Sequence, residues 1–170
     1  ENKDILFGNL ETVLSCRGGK LKRAVLLCSS PKNVKYLKQV GFDVLNVANN
    51  HIMDLGVEGF VNTLDVLNRN DLNFIGANNC KSALNHIILE RNGINLGFIG
   101  YTIGRIKVPQ GISINKLKEE KIVADIESIK VKCDFIVVSL HWAGRCRRCA
   151  SPKQIELAHN LIDHGATLIL

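Results

Sequence analysis

The chain has little aromatic side chain, little proline, a single methionine and no apolar run long enough to cross a bilayer. Only 5% of its 170 residues are aromatic, with one tryptophan. Nucleic-acid binders commonly interleave stacking aromatics with a basic stripe. The basic residues here are scattered, apart from small clusters at Lys20 to Arg23 and at Arg145, Arg147 and Arg148. The formal charge of +6 and the pI near 9.1 therefore read as a solvated basic surface, and nucleic acid is not an expected partner. No stretch approaches the roughly 18 to 20 apolar residues of a membrane helix, and no signal-peptide pattern opens the chain. The segment is expected to be soluble.

A hydrophobic content of 46% with 22% charge suits one globular domain with a full core. The ends read as cut. An apolar run, Ile5 to Phe7, follows Glu1 almost at once, and the chain stops within Thr167-Leu168-Ile169-Leu170. The expectation is a single domain over 1–170, truncated at both ends. Strands missing there would leave sheet edges open to self-association.

Six cysteines are present, and only Cys146-Arg147-Arg148-Cys149 has ligand-like spacing. One such pair is half a zinc site, and no second pair completes it. A redox-active pair beside arginines, a disulfide and two loop thiols remain open readings.

Periodicity gives the architecture. Asp43 to Ala48 reads as a buried strand. Val57, Phe60, Val61, Leu64 and Leu67 then recur at helical spacing, and Asn73 to Gly76 is a second short strand. This βαβ succession argues for parallel pairing. Upstream, Ser30-Pro31 opens a helix with Val34, Leu37 and Val40 on its apolar face, closed by Gly41. Asn92-Gly93, between apolar runs starting at Asn85 and ending at Tyr101, predicts a β-hairpin. Ile122, Ile126 and Ile129 mark a helix over Lys116 to Lys132, and Asp134 to Leu140 is a buried strand ending at His141. Ser151 caps a last helix, Pro152 to His164, with Ile155, Ala158, Leu161 and Ile162 inward and Gly165 as its stop. The expected class is α/β, with mixed, mostly parallel sheets flanked by helices.

Three polar motifs stand where strand-like runs end: Gly8-Asn9-Leu10-Glu11, Asn49-Asn50-His51 and His141-Trp142. In an open α/β sheet the C-terminal ends of the strands face one crevice, so distant motifs can meet there. Asp4 to Phe7 is the expected first strand, with Gly8 turning the chain so that Asn9 and Glu11 project beyond it. Each motif also has a plain reading. Glu11 can sit in a surface turn, Asn50 can cap a helix, and His141 can be a satisfied core residue.

Taken in order and spacing, the chain resembles the bacterial capsule-synthesis family of CapA, the poly-γ-glutamate biosynthesis proteins, within the calcineurin-like metallophosphoesterase superfamily. The matching stretches are Asp4 to Thr12, Gly41 to Gly56, Asn73 to Ala77, Leu96 to Thr102, Ile136 to Trp142 and Pro152 to Ala166. The resemblance implies a partial calcineurin-like metallophosphatase sandwich. It implies Glu11, Asn50 and His141 as metal ligands and His51 as catalytic acid or oxyanion stabiliser, with Asn9, Asn49 and Trp142 as secondary contacts. The complete family site would hold two divalent cations, manganese, iron or zinc, acting as a phosphoryl clamp and a source of hydroxide.

The departures carry their own expectation. The family's Gly-Asp motif before Glu11 and its Gly-His-His-Pro-His-like motif are absent, so this chain is expected to supply part of a two-metal site and to show little hydrolase activity, with no metal bound by the chain alone as one expectation. Ala143 to Cys149 replaces the family's acidic, aromatic continuation. Three roles follow from the resemblance. One is capsule or poly-γ-glutamate synthesis, with membrane capsule-synthesis components as partners of a parent protein anchored at, or outside, the cell membrane. The others are a phosphoesterase acting on a phosphorylated substrate and a non-catalytic module binding an anionic polymer.

Overall fold

A computed structural model describes residues 4–18, 25–79, 86–103, 106–142 and 149–170. The basic clusters at 20–23 and 145–148, Cys80, Asn85 and Cys146 lie outside them. The elements run β1 (Phe7–Asn9), β2 (Val13–Leu14), β3 (Cys28–Ser29), α1 (Val34–Val40), β4 (Val44–Asn46), α2 (Gly56–Arg69), β5 (Asn73–Ile75), β6 (Ala77–Asn78), β7 (His86–Arg91), β8 (Ile94–Thr102), β9 (Ser113–Ile114), α3 (Glu119–Ile129), β10 (Phe135–His141), α4 (Pro152–Asp163) and β11 (Leu168–Ile169).

Two sheets form a sandwich. The first has the order β1-β4-β5, all parallel; the second has the order β11-β10-β8-β7, parallel except for the β7–β8 hairpin. Val44 and Ile75 of one sheet meet Phe98 and Val137 of the other, and the rings of Phe7 and Phe98 stack at 5.9 Å. Each outer face buries a second cluster. Phe60, Leu64 and Leu67 of α2 pack with Leu45 and Val47, while Ile122, Ile126 and Ile129 of α3 and Leu161 of α4 pack on Ile99, Tyr101, Ile136 and Val138. This is the mixed, mostly parallel α/β sandwich that the periodicity and the resemblance predict.

Local chemistry sets the element ends. Gly41, at φ 81°, closes α1 in the left-handed region. Asn92 and Gly93 both have positive φ, 54° and 79°, as a two-residue hairpin turn matched to strand twist requires. Ser151 accepts from the Gln154 amide while the Gln154 side chain accepts from the Ser151 N–H, a reciprocal capping box at α4. Ser151→Ala should therefore lower stability by about 1 kcal/mol; a shifted urea midpoint with unchanged slope is the expected record, and an unmoved midpoint would show that the cap contributes nothing.

Several expectations need correcting. The first strand is Phe7–Asn9, not Asp4 to Phe7, because Phe7, Gly8 and Asn9 pair in register with Val44, Leu45 and Asn46. Gly8 is thus a strand residue, and its missing side chain makes room for the Phe42 ring, which a Cβ would meet at 2.6 Å. Val40, Val57, Ile155 and Ile162 face outward, with exposures of 54%, 41%, 45% and 43%. Their spacing fits a helical stripe, but the stripe is wider than the surface each helix covers. The short pairs β2–β3 and β6–β9 gave no periodic signal, since two residues cannot show alternation. Cys149 is an exposed free thiol.

Candidate functional site

The parallel strands β1, β4 and β10 end on one rim of the sandwich, and the three polar motifs follow those ends. Beneath the rim the sheets are pinned by a buried polar contact. Asn46, at the end of β4, donates from Nδ2 to Ser139 Oγ of β10 at 3.0 Å, and its Oδ1 accepts from the Ala48 N–H at 2.9 Å. Gly76 and Gly100 flank this amide; a Cβ on either would fall 2.7 and 2.5 Å from Asn46 Oδ1.

Above this floor, Glu11 and the two histidines come together. Glu11 Oε1 lies 3.8 Å from His51 Nε2 and 3.7 Å from His141 Nε2. Asn9 donates from Nδ2 to Glu11 Oε2 at 3.2 Å, which aims the carboxylate. Asn49 is fully buried and joins two of the loops. Its Nδ2 donates to the Leu10 carbonyl at 2.8 Å and to Asn9 Oδ1 at 3.4 Å, while its Oδ1 accepts from the His51 N–H at 3.1 Å. Asn50 Oδ1 lies 2.6 Å from His141 Nε2, so the amide of one sheet and the imidazole of the other are in hydrogen-bond contact. Glu11, Asn50, His51 and His141 are thus brought together. Trp142 is not with them, but packs against the cluster beneath α3 and α4.

The structure adds a residue that the motif reading did not assign. Asp54, buried with a side-chain exposure of 0%, accepts at Oδ2 from the Leu27 N–H at 2.8 Å and contacts His51 Nδ1 at 2.6 Å. An ionised carboxylate only accepts, so the proton of this contact sits on Nδ1. The ring is thereby oriented with Nε2 toward Glu11. The legible signal was an acid three residues after the histidine, which reads equally well as a surface turn until its burial is known.

A carboxylate oxygen (Glu11), an amide oxygen (Asn50) and an imidazole nitrogen (His141) are donor types that divalent cations accept. Among the described residues no group of three or more His, Cys, Asp or Glu side chains is arranged to hold a metal ion.

Comparison with known proteins follows the same lines. The family model described as bacterial capsule synthesis protein PGA_cap matches residues 1–170. The capsule biosynthesis protein CapA of Bacillus anthracis is 30% identical over 185 aligned residues, covering 100% of this chain and 44% of that protein. The PGA biosynthesis protein CapA of Bacillus subtilis is 29% identical, covering 98% of this chain and 46% of that protein. The chain spans under half the length of these curated relatives.

Among solved structures, a hypothetical protein from Thermus thermophilus superposes with a TM-score of 0.54 at 18% identity, over 98% of this chain and 55% of its own. A 5'-nucleotidase from Candida albicans gives 0.51 at 13% identity, over 78% of this chain and 27% of its own. These two likenesses bear on the fold alone. On the match over its whole length and the identity to the Bacillus proteins, the chain belongs to the CapA family of bacterial capsule synthesis proteins.

Proposed function

We propose that this chain supplies the cation-holding half of a metallophosphatase-type centre in a protein of capsular poly-γ-glutamate synthesis. The observation that carries the reading is the meeting of Glu11 with His51 and His141, within 4 Å, from three strand ends on two sheets. Glu11, Asn50 and His141 would hold one cation, and a second would need ligands beyond the described residues. A bound divalent ion supplies Lewis-acid polarisation of a phosphoryl oxygen and lowers the pKa of bound water. His51 stands beside the ligands with Asp54 fixing its Nδ1 proton, so its Nε2 faces the site and can carry a proton to or from a leaving oxygen. Asn9 and Asn49 hold the two loops in register.

In this reading the partners are the acidic polymer or its phosphorylated precursor, together with membrane components of capsule synthesis that meet the whole protein at the cell surface. Among the described residues no helix is long and apolar enough to cross a membrane. Copies can also associate through the edge of β11, where Leu168 and Leu170 are about half exposed.

A second reading, a polyanion-binding module without metal chemistry, is favoured by the charge of +6. Titration with manganese(II), followed by the loss of the free ion's paramagnetic resonance signal, separates the two. Saturable binding should weaken at least tenfold in both Glu11→Gln and His141→Ala, since loss of a supporting residue alone typically costs about ten- to a hundredfold. His51→Ala should bind the ion nearly as well as the parent. Equal affinity in all four proteins, or no binding in any, would favour the module.

A further inference from the structure

The acidic residues are unevenly placed along the chain. None falls between Glu11 and Asp43, while the same 31 residues carry seven basic side chains, from Arg17 to Lys38. The rest of the chain holds 15 basic against 16 acidic side chains, so the whole positive balance of +6 arises in this one segment. Lys20, Lys22 and Arg23 lie outside the described residues and form no part of the surface considered. Its described surface feature is α1, with Lys32 in the turn that opens the helix.

Helix α1 packs through one side. Val34 is buried, and Leu37 lies against the core cluster that α2 also covers. On the opposite side Tyr36 and Val40, one turn apart, are 53% and 54% exposed, with Lys32, Lys35 and Gln39 exposed around them. The Lys35 ammonium stands 4.8 Å from the centre of the Tyr36 ring. Lys38, on the flank, lies 3.7 Å from the carboxylate of Asp71, which offsets one charge of the helix. Lys32 and Lys35 have no ion-pair partner among the described residues.

We propose that the outward face of α1 docks on a lipid bilayer with anionic headgroups. The proposal stands apart from the metal reading, since none of these residues belongs to the centre.

The combination of side chains decides the partner. A soluble polyanion would pair with the lysines and gain nothing from Tyr36 and Val40. A bilayer offers both counterparts in one plane, a layer of negative headgroups and an apolar layer just beneath it. Tyrosine settles at the boundary between them, and a lysine can lay its aliphatic stem along the apolar layer while its ammonium stays among the headgroups. The face is the outside of a helix, hence convex, and a fluid surface receives it without a matching pocket. No helix among the described residues is long and apolar enough to cross a membrane, so the contact proposed is with the surface.

Co-sedimentation of the chain with vesicles tests this. The parent should sediment with vesicles of equal parts phosphatidylglycerol and phosphatidylcholine, stay in solution with phosphatidylcholine alone, and be released by added salt. Lys32→Gln and Lys35→Gln should each weaken the partition about fivefold. Tyr36→Ser with Val40→Ser should weaken it by about as much again through lost apolar contact. Lys153→Gln, an exposed lysine on α4, should sediment like the parent. These positions are exposed, and circular dichroism checks that each variant is folded. No sedimentation of the parent with the anionic vesicles would overturn the proposal, as would undiminished binding in the two lysine variants. An unchanged partition in the serine variant would assign the lysines to a soluble polyanion instead. Equal weakening in Lys153→Gln would show attraction by net charge alone, and either of these results ends the assignment to α1 and a bilayer.

Discussion

Asp54→Ala should cost about 3 kcal/mol of folding stability and release His51 from its single tautomer. The carboxylate is fully buried and serves two donors, the Leu27 N–H and His51 Nδ1. Removing it leaves a buried backbone donor unsatisfied, at about 1–3 kcal/mol, and deletes hydrogen bonds to a charged acceptor worth about 1.5–3 kcal/mol each. Relief of the carboxylate's own desolvation offsets part of that sum. Asp54→Asn keeps the shape and one acceptor oxygen, so it should fall between the parent and the alanine variant.

Stability alone does not separate a positioning role from a structural one. Nitrogen-15 spectra of the imidazole do, since the parent should show the Nδ1 proton of His51 and the alanine variant a mixture of tautomers. A variant with unchanged tautomer and a stability within about 0.5 kcal/mol of the parent, the usual range for a neutral surface change, would end the assignment of Asp54 as the residue that orients His51.

Gly100→Ala should be the more damaging of the two, at about 3 kcal/mol or more. Gly100 lies in β8 opposite Ser139 of β10, and a Cβ there would stand 2.5 Å from Asn46 Oδ1, 3.0 Å from Asn46 Cγ and 3.1 Å from Ile75 Cδ1. The amide has nowhere to retreat. It is held on one side by Ser139 and on the other by the Ala48 N–H, and Gly76 bounds it from above with room for no side chain. The methyl group must displace one sheet from the other or break buried hydrogen bonds, and overpacking with an unsatisfied polar group combines two of the costliest mutational mechanisms.

Gly93→Ala is the control. Nothing lies within 4 Å of a Cβ there, so only the strain of φ 79° is paid, about 1 kcal/mol. If denaturant unfolding ranks the two equally, the pinned amide is not the reason Gly100 is glycine.

These cases mark how far the sequence could be read. The βαβ unit, the hairpin and the two long helices were legible because each rests on a local pattern: apolar spacing at α2 and α3, Asn92-Gly93 in the turn, Ser151 and Gln154 at the cap. The three polar motifs were legible because polar residues at strand ends can converge in a parallel sheet, and Glu11, Asn50, His51 and His141 were singled out within them by the family resemblance. The structure brings them together, while their roles at a metal remain proposals.

Asp54, Asn46 and Ser139 were not legible, since a buried acid or amide looks like a surface one until its partners, in Asn46's case a serine 93 residues away, are known. Gly8 was misread for the same reason. Its need is set by the Phe42 ring on a neighbouring segment, not by any turn in its own chain.

The distribution of the centre along the chain also bears on when it forms. Glu11, Asn50, His51 and Asp54 all belong to the segment that builds the first sheet, whereas His141 arrives with the second, 130 residues after Glu11 (141 − 11). During synthesis the segment carrying His51 and Asp54 is therefore complete before β10 is made. The centre then waits for the last long strand. An ion taken up by Glu11, Asn50 and His141 would tie early-folding and late-folding parts together, so its uptake would report completed assembly of the sandwich.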